Sequence, residues 1–212
     1  MNKNLQEIIK LYSVGSSQEL QSFLDSLSKP TLMSTLIDFL TIYFNDKNSS
    51  KLRELATLYI AGYEPIEEKL GYNGYKLTVG AQVYCEVKPA NTNSAKRKLN
   101  GGGSFNDYTF ERFEKDKNQN LNILVSGFVN GKLVYILEFP FSCICDRIER
   151  QLKRKFPKGE RKPGEYLRSA SFTFNDYKNC ADLKVIYRSD ALGRFSKYIN
   201  SRFLSFLKSR EI

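Results

Sequence analysis

Residues 71–89, GYNGYKLTVGAQVYCEVKP, are where the period of the chain changes from helical to extended, and their reading decides the fold. Apolar and polar side chains alternate through 75-YKLTV-79 and 82-QVYCEV-87, and Gly80-Ala81 joins the two runs as a hairpin or sharply turned pair. Successive side chains of a strand point to opposite faces, so Glu86 and Lys88 share one face while Cys85 and Val87 share the other. Pro89 is expected to stop the strand directly after them. A carboxylate and an amine on one face make either an ordinary solvated surface or half of a metal site.

Working towards the N-terminus, the period becomes that of amphipathic helices. Leu5, Ile8, Ile9 and Tyr12, then Leu20, Phe23, Leu24 and Leu27, recur at three- and four-residue spacing. Ser28 is placed to cap a third helix carrying Leu32, Met33, Leu36, Ile37 and Leu40, and Ser49 or Ser50 a fourth through Leu52, Leu55, Leu58 and Tyr59. A short helix is expected over 64-EPIEEKL-70.

Towards the C-terminus, 91-NTNSAKRKLNGGGSFND-107 reads as a polar, glycine-rich loop. Then 121-LNILVSGFV-129 and 132-KLVYILEFPF-141 flank Asn130-Gly131, a pair that tolerates the positive φ angles of a type I′ turn. The near-continuous apolar run 133–139 predicts a central strand covered on both faces. A basic helix over 142–156, strands over 167–174 and 182–188, and one last helix from Ser189 or Asp190 through Lys208 complete the chain. The expected class is α/β: a mixed central sheet flanked by helices, with a helical N-terminal portion (1–62) packed on a core (63–212).

Composition narrows the chemistry. With 212 residues, 41% of them hydrophobic, the chain can bury a real core, and no apolar run is long enough to cross a membrane. The polar N-terminal stretch MNKNLQEIIKLYS lacks the apolar segment of a signal peptide, so a cytoplasmic location is expected. Cys85, Cys143, Cys145 and Cys180 show no C-x-x-C pairing and read as reduced thiols. The absence of histidine excludes Ser-His-Asp and Cys-His nucleophiles and the usual zinc hydrolase ligands, leaving carboxylates, lysines and hard cations. A net charge of +10 favours a polyanionic partner, nucleic acid first.

Cleaving a phosphodiester without histidine calls for carboxylates that hold Mg²⁺, with a lysine to orient water or neutralise the phosphate. Here E-x-K ends an apolar strand, follows a hairpin, and comes after Glu64, Glu67 and Glu68. In these features residues 64–141 resemble the PD-(D/E)xK nuclease superfamily, which includes type II restriction endonucleases and Holliday-junction resolvases. The resemblance implies a restriction-endonuclease-like core, one or two Mg²⁺ ions, and cleavage that leaves 5′-phosphate ends. It makes Glu86 the strand carboxylate, Lys88 the lysine, and Glu68 the helix glutamate, with Glu64 its rival. The family's aspartate falls on Asn73, so the implied metal ligands are Glu86, Asn73 and Glu68. An amide oxygen binds a cation far more weakly than a carboxylate. A disabling substitution, a compensating acid or a different register would each account for Asn73, and Asn73-Gly74 also reads as a plain turn-forming pair.

Two basic segments are candidates for DNA. Lys96, Arg97 and Lys98 precede three glycines that permit close backbone approach to a phosphate, or simply make a flexible loop. From Arg147 to Lys162 eight basic residues face two acidic ones, a net of +6, among them Arg150, Lys153, Arg154, Lys155, Lys158, Arg161 and Lys162. These fit backbone tracking, with Arg168 a further candidate, whereas Phe172 and Phe174 alternate as core residues do. The expected partner is double-stranded DNA, read by a homodimer if the target is palindromic, with a cognate DNA methyltransferase in the same system. The leading expectation is a Mg²⁺-dependent, sequence-specific endonuclease of the type II restriction kind. Another nuclease of the same superfamily, a homing endonuclease, junction resolvase or repair nuclease, comes second, and a DNA-binding protein without catalysis, which Asn73 favours, is the alternative from a different class.

Overall fold

The computed structural model describes residues 2–45, 50–66, 72–119, 121–159 and 162–210. The helical spacing of the first sixty residues yields α1 (Lys3–Val14), α2 (Ser17–Ser26), α3 (Lys29–Asn45) and α4 (Lys51–Ile60). Side chains fix where the first three begin. Asn2 accepts from the Asn4 N–H, Ser16 and Glu19 form a reciprocal capping box, and Ser28 Oγ accepts from the Thr31 N–H at 3.3 Å.

The strands follow: β1 (Glu64–Pro65), β2 (Gly74–Thr78), β3 (Ala81–Thr92) and β4 (Gly103–Tyr108), then helix α5 (Phe110–Asn118), β5 (Asn122–Val129) and β6 (Lys132–Pro140). Helix α6 (Cys145–Lys155), β7 (Leu167–Phe172), a short α7 (Phe174–Tyr177), β8 (Lys184–Arg188) and α8 (Ser201–Lys208) close the chain. The main sheet has the order β1-β2-β3-β5-β6-β8, and β4 pairs with β7 in a separate two-stranded ribbon. Since β3 and β5 run parallel and the other neighbours antiparallel, the fold is α/β with a mixed central sheet flanked by helices.

Two cores cover the sheet, one on each face. Leu5 and Ile9 of α1 and Leu55 and Leu58 of α4 pack with Cys85, Val87, Leu124, Phe128 and Ile136. A buried hydroxyl pair, Thr57 with Ser126 at 2.7 Å, satisfies the polar atoms at that junction. On the other face Ile123, Val125, Leu137 and Phe139 meet Phe105, Phe113, Ile148 and Leu152 from β4, α5 and α6. With both faces covered, Leu133 to Phe139 are buried without alternation, as the apolar run predicts. Phe172 and Phe174 are core residues.

Several local expectations change. The β2–β3 turn is Val79-Gly80, with φ of 42° and 79°, rather than Gly80-Ala81. Pro89 does not end β3, which pairs with β5 as far as Thr92. The β2 ladder has already stopped at Cys85, so the proline lies beyond the reach of β2 pairing on that edge. Part of the anticipated 91–107 loop is strand, residues 91–92 in β3 and 103–107 in β4. The helix expected over 64–70 is absent at its first residues, where Glu64 and Pro65 pair with Tyr75 and Gly74, and residues 67–70 lie outside the described residues. The last helix is broken: a 3₁₀ segment Leu192–Tyr198 ends at an extended Ile199, and Asn200 caps α8 through the Arg202 and Phe203 N–H groups. Cys143 and Cys180, with Cα atoms 5.8 Å apart, form a disulfide in place of two reduced thiols, and Cys85 and Cys145 remain free. That pairing spans 37 residues of sequence and depends on tertiary proximity, which no local spacing displays. Among the described residues, no helix is long and apolar enough to cross a membrane.

Candidate functional site

The site forms where β3 outruns its neighbour. Gly74 is the last residue of β2 paired to β3, opposite Cys85, and Asn73 carries the contact one step further with its side chain. The Asn73 N–H donates to the Cys85 carbonyl at 3.0 Å, and its Oδ1 accepts from the Val87 N–H at 2.8 Å. Position 73 therefore aims an oxygen at the stretch of β3 that bears Glu86 and Lys88.

Glu86 is buried, and its Oε1 accepts from Lys88 Nζ at 2.7 Å and from Arg112 of α5 at 3.4 Å. The Lys88 ammonium also lies 4.4 Å from the centre of the Phe105 ring, a cation–π contact. Arg112 is shared: its Nε is 3.7 Å from Asp116 Oδ2, one helical turn on. Asp116 is fully buried and accepts from the Tyr108 hydroxyl at 2.6 Å. Burial pushes its carboxyl above the usual range, against the opposing pull of Tyr108 and Arg112. Among the described residues, Asp116 Oδ1 and the nearby Tyr72 hydroxyl are buried without a hydrogen-bond partner, and burial together with the Asp116 charge raises the Tyr72 pKa. The arrangement is a chain of charges, Lys88–Glu86–Arg112–Asp116, running from a strand edge into the core.

Lys88 borders a cleft of about 600 Å³ beside the free edge of β3, with Val87 and Pro89 on one wall and Gly102, Gly103, Ser104 and Asn106 on another. Glu54 of α4 also lines it, its carboxylate held by Ser50 Oγ at 2.8 Å. The cleft is polar, and one charged residue of each sign lines it.

Of the expected site residues, Asn73, Glu86 and Lys88 come together as described. Glu68 lies outside the described residues, and Glu64, its rival, is an exposed strand residue. Lys96, Arg97 and Lys98 are exposed ahead of the glycines. The glycines themselves answer to packing: a Cβ on Gly101 would meet the Phe203 ring at 2.5 Å, and one on Gly103 the Phe172 ring at 2.6 Å. Arg150, Lys153, Arg154 and Lys155 stand on the outer face of α6, with Lys153 paired to Glu149 at 2.8 Å. Lys158, Lys162 and Arg168 are exposed, and Arg161 lies outside the described residues. The link from the cleft to α6 runs through β4 and β7, because Gln151 bonds both the N–H and the carbonyl of Ser171.

Sequence spacing alone misses Glu54, Arg112, Asp116 and Tyr108. The signal for two of them is present: Thr109 caps α5, and Arg112 and Asp116 follow at i, i+4. The glycine run beside them reads as loop and hides the helix.

The donor set suits a dication poorly as it stands. Among the described residues no three Asp, Glu or Cys side chains converge as a metal site requires, and both cations near Glu86 already bind its Oε1. No family model matches this chain, and no curated protein matches it. The function is therefore argued from the site residues.

Proposed function

We propose that the chain is built on the plan of a site-specific double-stranded DNA endonuclease of the PD-(D/E)xK kind, with a restriction-endonuclease-like core. Position 73 decides whether it cuts. The observation that carries this reading is the meeting of Asn73 Oδ1 with the Glu86–Lys88 strand, 2.8 Å from the Val87 N–H. An aspartate at 73 keeps that acceptor and adds a second negative charge beside Glu86, the pairing that a hard cation demands. When bound, Mg²⁺ supplies a polarised phosphate and a water of lowered pKa. Glu86 and an acid at 73 would hold it, and in the chain as it stands the site is one charge short.

The protein's own groups supply the rest. Lys88, at the border of the cleft, neutralises charge on a phosphate or orients an attacking water. Arg112 fixes the Glu86 carboxylate from behind, through a contact that also anchors α5 to β3. The exposed Lys96–Lys98 run and the outer face of α6 contact the DNA backbone. A non-catalytic DNA-binding protein is the second reading, favoured by the amide at 73 and by a Glu86 already neutralised by two cations.

The test is incubation of the protein and of Asn73→Asp with mixed-sequence duplex DNA and Mg²⁺, with the products separated on a gel. Discrete bands from Asn73→Asp, lost again when Glu86→Ala or Lys88→Ala is added, are expected. Salt-sensitive DNA binding without cleavage by either form moves the assignment to the second reading.

A further inference from the structure

On the side of the sheet that α1 and α4 cover, the packing leaves a cavity of about 510 Å³. Small-molecule sites span about 300–1,000 Å³. Its walls are aliphatic and aromatic: Leu5 and Ile9 of α1, Phe39 of α3, Ala56 of α4 and Phe128 of β5 all line it. One charged residue interrupts them, the half-buried Arg53 of α4. Among the described residues, Arg53 Nε is buried without a hydrogen-bond partner, and no acidic side chain lines the cavity. Buried donors are nearly all paired in native proteins, and a charged one costs more to leave open than a neutral one.

We infer that this cavity binds a small carboxylate with an apolar body, a medium-chain fatty acid in its simplest form, with the carboxylate held by Arg53. A guanidinium presents Nε–H and one Nη–H as a fork that matches the two oxygens of a carboxylate. The lining sets the sign of the ligand, because a cation would meet Arg53 with no acid beside it and a neutral molecule would leave the guanidinium charge unbalanced. It also sets the magnitude: one positive charge balances a monoanion, whereas a dianionic phosphate would carry an unmatched charge into apolar walls. A water molecule accepts from Nε but finds few further partners in such a cavity. The walls account for the rest of the ligand, since a hydrocarbon chain leaves water there as its carboxylate is paired.

The cavity lies across the sheet from Glu86 and Lys88, so the test reads binding and is independent of DNA cleavage. Calorimetric titration of the full chain with octanoate is expected to show one site per chain with a Kd below about 1 mM. Octanol, with the same tail and no charge, and octyl phosphate are each expected to bind about 10-fold or more weakly. Arg53→Met keeps the apolar stem and is expected to lose about 10-fold or more in octanoate affinity with unchanged circular dichroism. Ala56→Leu fills the cavity without touching the charge and is expected to abolish binding, which keeps the two halves of the site separately testable. The inference is overturned if octanoate does not bind at about 5 mM. It is equally overturned if octanol matches octanoate, if octyl phosphate binds more tightly, or if Arg53→Met binds octanoate as the parent does.

Discussion

Two lysine–glutamate pairs lie on opposite faces of one sheet, and they differ in how completely each carboxylate is closed. Register shows the faces: Gly74 pairs with Cys85 and Lys76 with Val83, while Leu124 pairs with both Val87 and Glu138. Lys76 and Glu138 therefore share the α4 face with Cys85 and Val87, and Glu86 and Lys88 occupy the α5 face. Lys76 reaches both oxygens of Glu138, at 3.0 and 3.2 Å, and Asn122 adds a third hydrogen bond at 3.2 Å. At Glu86 both cations converge on Oε1, and Oε2 receives no hydrogen bond from the described residues. One carboxylate is saturated by the fold and locks β2 to β6 across the sheet. The other keeps an oxygen uncommitted, next to a lysine that borders a cleft.

Matched substitutions put that distinction at risk. Glu138→Ala takes the buried carboxylate away from the part-buried Lys76 ammonium and leaves the Asn122 amide with the Tyr63 hydroxyl alone, and breaking such a pair costs about 3–5 kcal/mol. Glu86→Ala leaves Lys88 over the Phe105 ring at the border of the cleft and Arg112 with Asp116 still in reach, so the expected loss is about 1.5–3 kcal/mol, the range of a hydrogen bond to a charged group. Urea unfolding of both variants measures the difference. Equal losses would remove the contrast between a structural and a functional carboxylate.

A smaller effect sharpens the placement of Lys88. A Cβ on Gly103 would stand 2.6 Å from the Phe172 ring and 3.0 Å from Lys88 Cβ, both tighter than van der Waals contact. Gly103→Ala is expected to cost about 1–2 kcal/mol as overpacking and to displace the lysine. In an Asn73→Asp background, cleavage should fall by more than this loss of stability explains. Retention of full cleavage would mean that the glycine serves packing of β4 alone.

These cases also show what the sequence could reveal. Strands β5 and β6 are legible because burial on both faces writes an unbroken apolar run, and the Asn130-Gly131 turn fixes their register. The E-x-K face is legible because alternation along β3 is strictly local. Pro89 misleads because its tolerance depends on which neighbour has stopped pairing, a property of the sheet. The packing role of Gly101 and Gly103 is hidden for a similar reason: the aromatic rings that crowd them come from residues 203 and 172, far along the chain. The Glu86–Arg112 contact joins β3 to a helix 26 residues later, and no spacing rule reports it. Helix α3 is the reverse case. Its period is visible in the sequence, but that Leu36 and Ile37 turn outward is not.

The smallest expected effect concerns the inner end of the charge chain. Burial raises the Asp116 carboxyl above its unfolded value of about 3.9, so between that pH and the raised folded value the native state holds more protons than the unfolded chain. Stability contributed by protonated Asp116 is thus fully present below about pH 3.9 and lost as pH rises through the folded value. Asp116→Asn keeps an acceptor for the Tyr108 hydroxyl and does not titrate. Its stability relative to the parent should rise with pH across that window and then level off, which denaturant titrations at closely spaced pH values would follow. A difference independent of pH would mean that Arg112 at 3.7 Å and the Tyr108 hydroxyl fully offset the burial. Asp116 would then be a structural carboxylate, held by Arg112 and Tyr108 as Glu138 is held by Lys76 and Asn122.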